Sequence, residues 1–345
     1  MAGHGPAGET APPFLSASVR ARRGSYGLEG GCRVTLPVAD AHVDVLMRMS
    51  EEGAPFAGDS PLAASLERLQ MGHVTTQVFA LFVWPRLPET VQLEKVLQGI
   101  DLFYTEVAAT GRVQPVKSKQ EYQAAAASGK IAGLLSIEGA GCLRAQPHLL
   151  RVMYQLGVRG MGLTWNDANA LADGCGEPRN GGLTTAGRRI VQEMQHLGMW
   201  IDLAHLGDHG VRDVLDLVDG PVMASHANAR KVHAHRRNLP DEVIREIVRR
   251  QGWIGITFEG SFLNHPAAAS LDDVFRHLDH FLELGADDCL GFGSDFDGTS
   301  NAVPNLSSAA DYARLSEALV KRYGEGLAHK LCHQNFERFL LKVLP

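Results

Sequence analysis

The chain has 345 residues, of which 45% are hydrophobic, enough for a large core in the form of one big barrel or two ordinary domains. A net charge of −6, without a basic run or basic domain, argues against a nucleic-acid-binding role. The five cysteines are odd in number, widely spaced and free of any C-x-x-C, which disfavours a disulfide scaffold or a cysteine zinc site and fits a reducing cytoplasm.

Residues 1–24 are rich in Gly, Ala and Pro and carry Arg20, Arg22 and Arg23. They contain no apolar stretch suited to a signal peptide and are expected to form a mobile tail, leaving 25–345 as one domain. No later stretch is long and apolar enough to cross a membrane. The first apolar run, 34–41, leads into Ala-Asp-Ala-His-Val-Asp-Val-Leu at 39–46. Its flanks on both sides read as one buried strand, on which residues i and i+2 share a face. His42 and Asp44 would then project together, a nitrogen and an anionic oxygen suited to a divalent metal. A surface pair in a turn is the plainer alternative for this motif alone.

Seven further apolar runs follow, at 74–83, 131–137, 158–163, 199–203, 221–225, 253–257 and 289–294. Most are continuous rather than alternating, as parallel strands covered on both faces require. Helical patterns lie between them. Residues 184–197 place Ile190, Val191, Met194 and Leu197 on one stripe and stop at Gly198, and 240–251 open with Pro-Asp-Glu and end before Gly252. Residues 89–109, 145–156, 271–284, 308–323 and 325–342 read as helices in the same way. Eight strands with intervening helices predict an α/β fold of the (β/α)8 TIM-type barrel class. A doubly wound open sheet would bring a Gly-rich loop after its first strand, where this chain has His-Val-Asp.

In such a barrel the chemistry gathers at the carboxyl ends of the strands. There the sequence supplies His42 and Asp44, then Glu138, His205, His226 and Asp295. Each alone could be a cap, a loop brace or a satisfied core histidine. Together they form a concentration of charge that metal makes tolerable, with too many ligands for one tetrahedral zinc. Two divalent metal ions sharing a carboxylate fit better, with Glu138 as the natural bridge.

These motifs resemble the membrane (renal) dipeptidase family of metallopeptidases, a branch of the amidohydrolase-like barrels. The resemblance runs over about 37–340 and includes Asp-Ala-His-Val-Asp (40–44), Ile-Glu-Gly (137–139), Ile-Asp-Leu-Ala-His (201–205), Ser-His-Ala (225–227), Arg-Arg-Asn-Leu-Pro-Asp (236–241) and Gly-Ser-Asp-Phe-Asp-Gly (293–298). It implies two zinc ions, one held by His42 and Asp44, the other by His205 and His226, with Glu138 bridging. It also implies that Arg237 binds the substrate's terminal carboxylate, that Asp295 handles protons, and that the protein is a homodimer. The implied reaction is hydrolysis of a dipeptide, L,D-dipeptides included, through a hydroxide bridging the metals. Read without the family, Arg237 is a loop arginine within reach of Asp241.

One departure concerns the fourth run. Better-known members have Leu-Thr-His there; this chain has Leu-Thr-Trp-Asn at 163–166. Trp165 offers an indole N–H donor or an apolar wall, and Asn166 either contacts substrate or shapes the loop. The departure leaves open a related hydrolase of another amide or a lactam. A non-catalytic barrel is the third reading, and the full donor set opposes it.

Overall fold

The structure is a computed structural model that describes residues 35–265 and 268–345. The expected tail, its arginines, Cys32 and the first residue of the expected first strand lie outside the described residues. Among the described residues, nine parallel strands form one sheet: β1 (Val38–Val43), β2 (Val74–Phe82), β3 (Val113–Pro115), β4 (Ile131–Glu138), β5 (Val158–Gly162), β6 (Trp200–Asp202), β7 (Met223–Ala224), β8 (Trp253–Ile256) and β9 (Leu290–Phe292). Eight of them close into the expected barrel. β2 pairs directly with β4, and β9 returns to pair with β1 through Asp40 and Phe292. The extra strand, β3, pairs with the first three residues of β4 on the edge that β5 takes up further along.

The barrel strands are buried along nearly their whole length, which explains their continuous apolar sequences. Inside the lower barrel, Trp200 and Trp253 fill the space, and neighbouring strands present Gly160 and Gly291 where any side chain would strike an indole. Below them the segment Asn335–Val343 closes the floor. Phe336 packs on Trp253 with ring centroids 4.6 Å apart, and Phe339 and Leu340 join the same apolar cluster.

The expected helices are present, with differences that have local causes. The first strand stops at Val43, and Val45–Glu52 is a helix rather than a continuation of the strand. Its apolar residues Val45, Leu46 and Met49 fall at helical spacing and are buried on one side. Short helices at Leu66–Met71, Lys119–Ser128 and Asp208–Leu217 add to those expected. The segment read as one helix over 325–342 is an α-turn, a π-helical turn at Lys330–Gln334 and the final helix.

Candidate metal centre and substrate cavity

The strand ends converge as the barrel requires. His42 lies on β1, and Asp44 sits just beyond it as the N-cap residue of Val45–Glu52 with φ −100°. Glu138 is the last residue of β4. His205, His226 and Asp295 follow β6, β7 and β9 by two or three residues. His205 and Asp295 both adopt left-handed backbone, φ 65° and 67°, a conformation that costs a non-glycine residue about 1–3 kcal/mol and turns each side chain back over the mouth.

The donor atoms meet at short range. His205 Nε2 is 2.8 Å from Glu138 Oε1 and 2.9 Å from His226 Nε2, and His226 Nε2 is 3.5 Å from the same carboxylate oxygen. His42 Nε2 is 3.3 Å from both Asp44 Oδ2 and Glu138 Oε2, and 3.9 Å from Asp295 Oδ1. Two sets of donor atoms are thus close enough to share an ion: His42, Glu138 and His226, and His42, Asp44 and Asp295.

Neighbouring groups fix which nitrogens carry protons. His205 Nδ1 donates to Asn166 Oδ1 at 2.9 Å, and the Cys175 thiol donates to the same oxygen at 3.2 Å. Ser225 Oγ lies 2.7 Å from His226 Nδ1 and can accept its proton. Both Nε2 atoms are then lone pairs aimed at one point, an arrangement that a cation resolves and a hydrogen bond does not. Two other buried atoms, His42 Nε2 and Asp44 Oδ1, make no well-formed hydrogen bond, although carboxylate oxygens lie 3.3 Å from the first.

The electrostatics point the same way. Burial, and then the Arg237 charge, push His205 down to about 4. Burial and the charge of His42 hold His226 well below its ordinary value. Burial, and then Asp44, lift the Asp295 carboxyl well above the usual range. Burial also opposes charge on His42 and on Glu138, yet their mutual attraction wins, raising the imidazole and lowering the carboxyl. Three crowded carboxylates stand against two histidines held neutral, His205 and His226, whose Nε2 lone pairs face one another, and divalent cations fit such a donor set.

Arg237 is buried beside this cluster. Its Nη2 donates to His226 O at 3.1 Å, its guanidinium lies 5.2 Å over the Phe262 ring, and its Nε has no partner. Asp241 is not its counter-ion, being held by His280 at 2.8 Å. A buried guanidinium with a spare donor is suited to an anion. Trp165 stacks on His205 with centroids 5.9 Å apart and, with Asn166, lines a cavity of about 230 Å³ beside Glu138 and Asp295.

Several supporting residues escaped the sequence reading. The buried Asp40 carboxylate accepts from His42 N and Ser294 N at 3.1 and 3.0 Å and from Ser294 Oγ at 2.6 Å, tying β1 to the loop after β9. Asp202 does the same between β6 and β7, accepting from Ala204 N and Ser225 N. The available signal was position, since each carboxylate precedes a site histidine by two or three residues. Asp297 is a structural acceptor for Ala63 N, Ala64 N and Arg48. Asp173 shapes its loop through Arg179 and Gly181.

The chain is similar to known peptidases. The family model for membrane dipeptidase, peptidase family M19, matches residues 32–344. An uncharacterized dipeptidase of Schizosaccharomyces pombe is 30% identical over 319 residues, covering 83% of this chain and 75% of that protein. Among solved structures, a metallopeptidase of family M19 called dipeptidase AC aligns with a TM-score of 0.83 at 30% identity, over 90% of this chain and 99% of that one. A metallopeptidase from Rhodobacter sphaeroides, liganded with a phosphinate mimic of the dipeptide L-Ala-D-Ala, aligns equally well: TM-score 0.83, 30% identity, 90% and 100% coverage.

Proposed function

The chain belongs to the membrane dipeptidase family, peptidase family M19, and from that membership we propose that it is a metal-dependent dipeptidase that cleaves L,L- and L,D-dipeptides in the cytoplasm. The observation that carries this reading is the pairing of a carboxylate-rich cluster, in which two histidine Nε2 atoms face each other at 2.9 Å, with a buried arginine whose Nε is unpaired. Two zinc ions are the proposed complement, with His42 and Asp44 on one, His205 and His226 on the other, and Glu138 between them. Such ions, when bound, lower the pKa of water and polarise a carbonyl oxygen.

The chain's own residues do the rest. Arg237 fixes the substrate's terminal carboxylate through a planar fork, which sets the distance to the scissile bond and favours very short peptides. Asp295, whose Oδ1 lies 3.9 Å from His42 Nε2 at the edge of the donor cluster, takes the proton of the attacking water and passes it to the leaving amine. Asn166 and Ser225 keep the two histidines in the tautomer that leaves Nε2 free. Trp165 and Asn166 wall the substrate space.

The test is elemental analysis and turnover on one purified sample, with L,L- and L,D-dipeptides beside N-acyl amino acids and lactams. About two zinc equivalents with release of free amino acids are expected. Asp295→Asn should keep the metal and lose turnover. Metal with cleavage of lactams or N-acyl amino acids only would move the activity to another amide, and absence of metal after zinc is supplied would remove the ligand assignments.

A further inference from the structure

The closed barrel fixes which strand ends face each other across its mouth. Around the ring the strands run β1, β2, β4, β5, β6, β7, β8, β9, so β7 and β2 are four places apart in a ring of eight and stand opposite. The loop after β7 carries Arg237, and its guanidinium stays on that side, against His226 O and the Phe262 ring. The end of β2 carries Phe82 and, just beyond it, Trp84. A dipeptide anchored by its carboxylate at Arg237 and crossing the donor cluster at its scissile bond therefore extends its amino-terminal residue towards β2.

What waits there is an aromatic corner. Phe82, Trp84 and Trp165 pack with centroid separations of 5.1, 5.7 and 5.9 Å, all three line the cavity, and Met47 completes the wall. Trp84 and Trp165 are only half-buried, whereas Trp200 and Trp253 are buried in the barrel. Large rings held rigidly by one another and left open to a concave space are a typical apolar subsite. The acidic residue lining the cavity away from the donor cluster, Glu259, is already engaged. It accepts from Ser261 N at 3.0 Å and Ser261 Oγ at 2.5 Å, and from Thr299 Oγ1. It is thus a loop brace more than a counter-ion for an incoming cation.

We propose that Phe82, Trp84 and Trp165 form the subsite for the substrate's amino-terminal side chain and select dipeptides in which that side chain is large and apolar. This rests on the dipeptidase reading and names the substrate class within it. The test uses the zinc-loaded enzyme and a series Xaa-Ala with Gly, Ala, Leu, Phe, Asp and Lys at the first position. The value of kcat/KM should rise about tenfold or more from Gly to Leu and Phe, and should be lowest for Asp and Lys. Trp84→Ala should collapse the Phe-to-Gly ratio of kcat/KM by about tenfold, and Trp84→Phe should restore most of it. A merely structural defect would lower both substrates alike and leave the ratio unchanged. A flat series, a preference for Lys or Asp, or an unchanged ratio in Trp84→Ala overturns the subsite while leaving the dipeptidase reading intact. Turnover of no dipeptide by enzyme that holds its metal overturns both.

Discussion

At the scale of single residues, the site is defined as much by the partners of its proposed ligands as by those residues themselves. Asn166 illustrates this, since its side-chain oxygen receives both the His205 Nδ1 proton and the Cys175 thiol. Replacing it with Ala should leave His205 free to rotate and to protonate at Nε2, weakening metal binding roughly 10- to 100-fold, whereas Asn166→Asp keeps an acceptor and should restore much of the affinity. Competition against a chromophoric chelator would measure both, and equal affinities in wild type and Asn166→Ala would sink the role. The donors themselves were legible in the sequence, because imidazoles and carboxylates at the ends of apolar runs have few other reasons to recur. Asn166, Ser225, Asp40 and Asp202 were not legible as supports. Each acts through a hydrogen bond across strands far apart in the chain, and no local pattern records which side chain will stand opposite.

At the scale of elements, the eight barrel strands and the main helices could be read from continuous apolar runs and their stops. The junction after β1 could not. Val45–Glu52 continues the apolar run in composition, and only the spacing of Val45, Leu46 and Met49 betrays a helix. That early turn into a helix matters, because it brings Asp44 to the mouth as a cap residue. The loop after β9 is equally constrained. A β-carbon on Gly298 would land on Asp44 Oδ2 and Asp295 Oδ1, so the backbone there passes against two site carboxylates with no room to spare. Gly298→Ala should therefore fold with a modest loss of stability, about 1–3 kcal/mol, yet lose most of its metal and turnover. Thermal unfolding and elemental analysis on the same preparation test this, and full metal content would refute it.

At the scale of the whole molecule, the donors come from opposite parts of the ring, so an ion bound among them ties β1, β4, β6 and β7 together. Chelation should lower the Tm and zinc should restore it. The effect is about 2.7 kcal/mol when free metal exceeds its Kd a hundredfold, and a Tm indifferent to chelator would argue against ions bridging the ring. The closing contacts are also the most distant in sequence. Asp40 meets Ser294 across 254 positions, and the barrel floor depends on Phe336 and its neighbours. A ribosome must therefore release β9 before the first strand finds its last neighbour, and the floor segment later still. Half-made chains would hold β1 with one edge bare and its histidine without companions. Metal capture is in this way a reporter of finished synthesis: a nascent chain stalled before residue 290 should fold no barrel and retain no zinc.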